Sequence, residues 1–238
     1  MSIAENVAQV KERIAVAARA AGRKPEEILL VAATKMNDAD RVRQAIAAGV
    51  DICGENRVQE LLEKNAQGAY AGAPLHFIGH LQKNKVRQVV GLAELIHGAD
   101  SLELIRVIDR VAGMKGLKQD ILLEVNIGAE ASKSGFKPEE IPAALEESAK
   151  FANIRVRGLM AIPPVCAFGE ENRPYFAQLA KLFIDNGQKN TIIYAWIFCL
   201  WACPAILSRP SPAAPTWFAS ARPFSDSVFT QRYRTACP

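Results

Sequence analysis

After Asn190 the chain contains no lysine and no glutamate, and its only acid is Asp226. The other charges of those last 48 residues are Arg209, Arg222, Arg232 and Arg234. About a quarter of a soluble domain's residues are ordinarily charged, so this tail does not read as part of the domain before it. The body has its own absences. Cys53 and Cys166 stand there without metal-ligand spacing and without a framework of pairs, which argues against a zinc site or a disulfide scaffold and makes reduced thiols the expectation. The first twenty residues lack an uninterrupted apolar core, because Glu5, Lys11, Glu12 and Arg13 fall within them. A secretory signal is not expected, and a cytoplasmic location is. A charge surplus is missing as well. Residues 1–190 hold 25 Lys and Arg against 24 Asp and Glu, which gives no electrostatic case for nucleic acid.

What remains is 238 residues that are 50% hydrophobic and 23% charged, enough for one soluble domain with a sizeable core. All three tryptophans, six of thirteen prolines and three of five cysteines lie in the tail.

The body alternates helix and strand. Ser2 and Glu5 spell a capping box, and Ile3, Val7, Val10 and Ile14 recur at helical spacing up to the stop at Gly22. Ile28 to Ala33 is a continuous apolar run that predicts a strand buried on both faces, ending at Thr34-Lys35. An Asn37-Asp38 cap opens a helix closed by Gly49. A short strand, Asp51 to Cys53, then reaches the turn Gly54-Glu55-Asn56, and a helix follows through Val58, Leu61 and Leu62. Further strands are predicted at His76–Gly79, Leu95–His97, Ile121–Asn126 and Val156–Ile162. The helices between them span Lys83–Val90, begin at a Ser101 cap, and open at Pro138. Strands alternating with helices imply parallel pairing through right-handed crossovers, hence an α/β barrel or a doubly wound sheet. Six units are visible, and a (β/α)8 barrel needs eight.

The carboxyl edge of such a sheet gathers ligands, and Lys35 stands on it. A lysine desolvated there has a lowered pKa and can form a Schiff base with an aldehyde, although a lysine leaving a strand for solvent is the commoner case. Asn56 could reach the same edge, or Gly54-Glu55-Asn56 could simply cap the next helix. His76 reads as a hydrogen-bonded core histidine more readily than as a ligand, and Met160 as packing. Lys83, Lys85 and Arg87 read as a solvated face, and Ser132-Lys133-Ser134-Gly135 as a loop.

Taken in order, Val31-Ala32-Ala33-Thr34-Lys35, Gly54-Glu55-Asn56-Arg57-Val58-Gln59-Glu60, His76 through Lys85, Ser132-Lys133-Ser134-Gly135 and Arg157 through Pro163 resemble the pyridoxal phosphate homeostasis protein family. The resemblance runs from about residue 5 to about residue 185. It implies a TIM-type barrel like the alanine racemase N-terminal domain, with pyridoxal 5′-phosphate held as an aldimine on Lys35 and touched by Asn56. It also implies cofactor buffering without established catalysis, with apo-enzymes as recipients of the cofactor. A monomer is expected. A pyridoxal-phosphate-dependent amino-acid racemase or lyase is the alternative, but nothing in the chain has the length or pattern of the second, β-rich domain such racemases use.

The resemblance stops near Gln188, which divides the chain into a barrel over 1–188 and an aberrant tail over 189–238. The family's seventh and eighth strands, with loops of the Ser-Met-Gly-Met-Ser and Val-Arg-Ile-Gly-Thr types, are not spelled there, so strands 7 and 8 are expected to be missing or disrupted. The genetic code relates the two. Codons built from the third base of one residue and the first two of the next force Gly from Trp201-Ala202 and Val from Trp217-Phe218. In that register Leu200–Ile206 reads as Met-Gly-Met-Ser-Gly-Asp, and Thr216–Asp226 as Met-Val-Arg-Ile-Gly-Thr-Ala-Ile-Phe-Gly. A frame-shifted C-terminus is therefore expected, with the slip between Gln188 and Ala195. A competing reading takes residues 191–207, which carry no charge, as the anchor of a membrane-tethered interaction protein. Pro204 interrupts that run, which is short for a spanning helix, and no membrane association is expected.

Overall fold

The structure, a computed structural model, describes residues 2–130, 133–164, 172–187, 195–199 and 218–221. Helix α1 (Ile3–Ala20) opens on the expected capping box: Ser2 Oγ accepts from the Glu5 N–H at 3.2 Å, and Glu5 Oε2 accepts from the Ser2 N–H at 2.7 Å. The apolar run that follows is extended but divided at Leu30 into β1 (Ile28–Leu29) and β2 (Val31–Ala33). The Leu30 N–H turns to the Asp51 carboxylate at 2.8 Å, and its carbonyl accepts from Asp51 and Ile52. Then come α2 (Ala39–Ala47) with its Asp38 cap, β3 (Ile52–Glu55), α3 (Val58–Ala66), β4 (Leu75–Phe77) and α4 (Val86–Val89). They are followed by β5 (Leu95–Ala99), α5 (Leu102–Met114) with its Ser101 cap, β6 (Gln119–Val125), α6 (Ile141–Ser148), β7 (Ile154–Ala161) and α7 (Arg173–Gly187). The last strands are β8 (Ala195–Cys199) and β9 (Phe218–Ala221).

The predicted Lys83–Val90 helix begins as a 3-10 turn over Lys83–Lys85, and Pro138 likewise opens a 3-10 turn before α6. The larger departure is at Gly54-Glu55. These residues extend β3 instead of turning, and Arg57, not Asn56, stands at the helix N-cap. The reason is a packing demand. A Cβ on Gly54 would lie 2.8 Å from Ile78 Cδ1 and 3.2 Å from Val31 Cγ1, so glycine lets three strands approach where a side chain would hold them apart.

The strand order β1-β9-β8-β7-β6-β5-β4-β3-β2 begins and ends on two halves of one chain segment, which closes the sheet into a barrel. From β2 through β8 every pairing is parallel. β8 thus runs as a seventh barrel strand does, whereas β9 closes the circle antiparallel to both β8 and β1. Alternation sorts the side chains into two layers. Cys53, Phe77, Ile96, Ile121, Leu123 and Leu159 pack outward beneath the helices. Val31, Ile52, Ile78, Leu95, Leu122 and Met160 belong to a second cluster on the lumen side, which continues into α1 through Val7, Val10 and Ile14. Met160 is core packing, as expected.

His76 shares the lumen with His97. Its neighbours Leu75 and Phe77 both face outward, and the two imidazoles meet at 3.0 Å (His76 Nδ1 to His97 Nε2) with both rings buried. The expectation of a hydrogen-bonded core histidine is met. Lys83 pairs with Glu103 at 2.6 Å, and Lys85 donates to Gln59, so this cluster is a solvated and partnered face. Among the described residues no helix is long and apolar enough to cross a membrane. Of the suggested anchor, 195–199 form β8, and the remainder lies outside the described residues.

Candidate functional site

The parallel strands point their carboxyl ends to one mouth of the barrel. Around it stand Lys35 after β2, Asn56 after β3, Gly79-His80 after β4, Asp100 after β5 and Asn126 after β6. Lys35 and Asn56 occupy matching levels. Ala33 pairs with Gly54, and the Thr34 N–H donates to the Gly54 carbonyl at 2.9 Å, so the register carries Lys35 opposite Asn56. Alternation from Val31 places Lys35 on the lumen side of its strand end. The side chain there is half-buried.

Asn56 is hemmed in. A Cβ on Gly79 would overlap the Asn56 carbonyl oxygen and lie 2.7 Å from its Cα, so this backbone approach requires glycine. The Asn56 Oδ1 is buried and has no hydrogen-bond partner among the described residues. Asn56 also borders a groove of about 190 Å3 with Gln59, His80, Gln82 and Lys85. Lys35 is not one of its walls. The register, and not that groove, brings the two predicted residues together.

Across the mouth, Glu124 lies on the lumen face of β6 and accepts from Ser134 Oγ at 3.3 Å. Burial first, and the nearby Asp100 second, raise its carboxyl above the ordinary range. Asp100 itself meets His80 Nδ1 at 3.0 Å. Lys133 pairs with Glu130 at 2.6 Å and reaches the Pro163 carbonyl, while Ser132 lies outside the described residues. Among the described residues no group of three His, Cys, Asp or Glu is arranged to hold a metal ion. Cys53 is a buried free thiol, and burial, with Glu55 next, pushes its pKa up to about 12. Cys166 lies outside the described residues.

A buried network behind Lys35 was not anticipated from sequence. Lys64 on α3 donates to the Glu55 carboxylate at 2.7 Å, to the Thr34 carbonyl at 2.8 Å and to Glu60 at 3.1 Å. Thr34 Oγ1 and the Tyr70 hydroxyl converge on the same Glu55 oxygen, at 2.7 and 3.2 Å. The signal that could have found it is the Glu60/Lys64 spacing of four, combined with an outward-facing Glu55 at a strand end under that helix.

The residues present suit an aldehyde-bearing, polar cofactor at this mouth. Lys35 brings a half-buried side chain to the lumen side, and Asn56 brings an orphaned buried amide oxygen at its level. Any phosphate-binding loops after β8 and β9 lie outside the described residues.

The profile of the alanine racemase N-terminal domain family matches residues 5–217. The pyridoxal phosphate homeostasis protein of Pseudomonas aeruginosa is 42% identical over 186 residues, covering 77% of this chain and 80% of that protein. Its counterpart in Aquifex aeolicus is 38% identical over 182 residues, covering 76% and 80%. Among solved structures, PipY of Synechococcus elongatus with PLP bound aligns with a TM-score of 0.67 at 29% identity, over 81% of this chain and 85% of that one. With a parallel barrel of this topology and identity of this extent, the chain belongs to the pyridoxal phosphate homeostasis protein family, on the alanine racemase N-terminal fold.

Proposed function

We propose that this chain binds pyridoxal 5′-phosphate through Lys35 and holds it for intracellular cofactor homeostasis, delivering it to apo-enzymes and not turning over an amino acid. The observation that carries the reading is the position of Lys35, a half-buried amine at the carboxyl edge of a wholly apolar strand, level with Asn56 across the β2–β3 register. When bound, the cofactor would supply an aldehyde, a group open to condensation with a primary amine with loss of water. Lys35 supplies the amine. Asn56 presents an amide oxygen with unused acceptor capacity, a contact this reading assigns to the cofactor. The narrow lumen below, filled by Val31, Ile78, Leu122 and Met160, keeps water from the underside of the mouth. Relatives named for pyridoxal phosphate homeostasis support the holding role. A cytoplasmic location suits the buried free thiol of Cys53, and the reading takes the protein as a monomer.

The test is an absorbance titration of the purified chain with pyridoxal phosphate. A saturable band of linked cofactor, lost in Lys35→Ala, is expected, with no interconversion of L- and D-alanine above that of Lys35→Ala. An identical titration in the two proteins would overturn the reading, and steady racemisation dependent on Lys35 would replace it with the enzyme.

We also propose that the tail is a frame-shifted rendering of the family C-terminus. The reversed β9 supports this, since a strand in the eighth position of such a barrel runs parallel to its neighbours.

A further inference from the structure

Lys64 is a lysine with its charge out of water: its side chain is 7% exposed, and that of its partner Glu55 is fully buried. A buried ion pair is weak evidence for stability, because two apolar side chains of similar volume can hold a helix to a sheet as well. What this pair does that apolar packing would not is direct hydrogen bonds at particular backbone atoms. The three protons of the Lys64 ammonium have three acceptors, and one is the carbonyl of Thr34, the residue before Lys35. The second acceptor, Glu60 Oε2, also takes the N–H of Met36, the residue after Lys35, at 2.7 Å. The third is Glu55, which binds the Thr34 hydroxyl as well.

Met36 needs such a tether. Its φ is 60°, the left-handed region that a residue with a Cβ enters at a cost, and the residue is 72% exposed, so packing does not hold it there. A strained residue next to a reactive group is a recurrent sign of a site held in one geometry. Burial alone would raise the Glu60 carboxyl. The Met36 N–H and the Lys64 charge, aided by Arg57, outweigh that and hold it below its ordinary value, so it stays ionised at neutral pH.

We infer that Lys64, Glu55 and Glu60 form a clamp that positions Lys35 by fixing the backbone immediately before and after it. The three are positioning residues, none of which touches the cofactor, and the inference rests on the proposed role of Lys35 as the linking amine.

The experiment uses the full chain as wild type, Lys35→Ala, Glu60→Ala and Glu60→Gln. It reads amide hydrogen exchange at Met36, melting of the cofactor-free protein, and pyridoxal phosphate affinity and its pH midpoint from the absorbance of linked cofactor. Losing the hydrogen bond from the Met36 N–H to the Glu60 carboxylate, together with the Lys64 contact, predicts about tenfold faster Met36 exchange and about tenfold weaker binding in Glu60→Ala, with a displaced pH midpoint. Glu60→Gln, whose amide oxygen still accepts the Met36 N–H, should recover most of both. If wild type and Lys35→Ala respond alike to pyridoxal phosphate, the functional reading fails and takes the clamp with it. If wild type responds and Glu60→Ala matches it in affinity and pH midpoint, the clamp alone fails. It fails too if Glu60→Ala and Glu60→Gln lose affinity equally and only in step with melting.

Discussion

His76 and His97 form a neutral pair in the middle of the barrel, and their environment makes acid the weak point of the fold. Burial pushes His76 down to about 4 and, with His76 beside it, holds His97 well below its ordinary value. In the unfolded chain each takes a proton near pH 6.5. Between pH 6.5 and about 4 the unfolded state therefore binds more protons than the folded one, and stability falls as pH falls. His76 contributes on the order of 3 kcal/mol of this loss by pH 4. His76→Asn, which keeps a polar group beside His97, should shrink the drop in urea midpoint between pH 7 and pH 4.5. Equal drops in the two proteins would count against the pair as its source. The sequence shows His76 in a strand pattern, and that sufficed to expect a buried, bonded ring. It does not show His97 as the partner, because the pairing depends on adjacent strands sharing a level in the lumen. Lys35 was legible for the opposite reason: its place at the end of an apolar strand is a local fact. Lys64 was not, since four residues after Glu60 on an amphipathic helix a lysine reads as one half of a surface pair.

At the scale of elements, apolar runs, caps and glycine stops were enough to find the segments that form β1 to β7, the first two as a single run, and the helices from α1 to α6, because each is written in contiguous residues. The error at Gly54-Glu55 has a physical cause. Glycine followed by two polar residues is the chemistry of a turn, but here the missing Cβ serves close packing in the lumen and Glu55 is drawn outward by Lys64. Gly79 has a comparable role, since any side chain on it meets the backbone of Asn56. Gly79→Ala should force the β3 and β4 ends apart and destabilise the chain by about 2–3 kcal/mol, measurable as a lowered urea midpoint. A substitution that left the midpoint within about 0.5 kcal/mol would mean that these strand ends are less tightly joined than described. Lys64→Met tests α3 more severely. It leaves the Glu55 carboxylate buried without its counter-charge, which should destabilise by about 3–5 kcal/mol.

For the whole molecule the question is how the circle closes. Seven positions run parallel, and β9 completes the barrel in reverse, touching β1 through two residue pairs, Ile28 with Ala221 and Leu29 with Ser220. The body's neutrality and the tail's want of lysine and glutamate describe the same division. If the tail is frame-shifted, restoring the frame supplies a parallel eighth strand and the loops that barrels commonly use to bind phosphate after strands seven and eight. A restored chain should bind pyridoxal phosphate at least about tenfold more tightly, through added charge-assisted hydrogen bonds, and melt several degrees higher. Coding DNA that does not spell the two motifs on a one-base shift would end that proposal without any protein being made.

The central claim is chemical, that one lysine at the barrel mouth carries the cofactor. Its most direct measurement is borohydride reduction of the chain incubated with pyridoxal phosphate, followed by proteolysis and peptide mass spectrometry. The account predicts a single stoichiometric pyridoxyl phosphate group on the peptide containing Lys35, absent from Lys35→Ala. Modification spread over surface lysines with Lys35 unlabelled would contradict it.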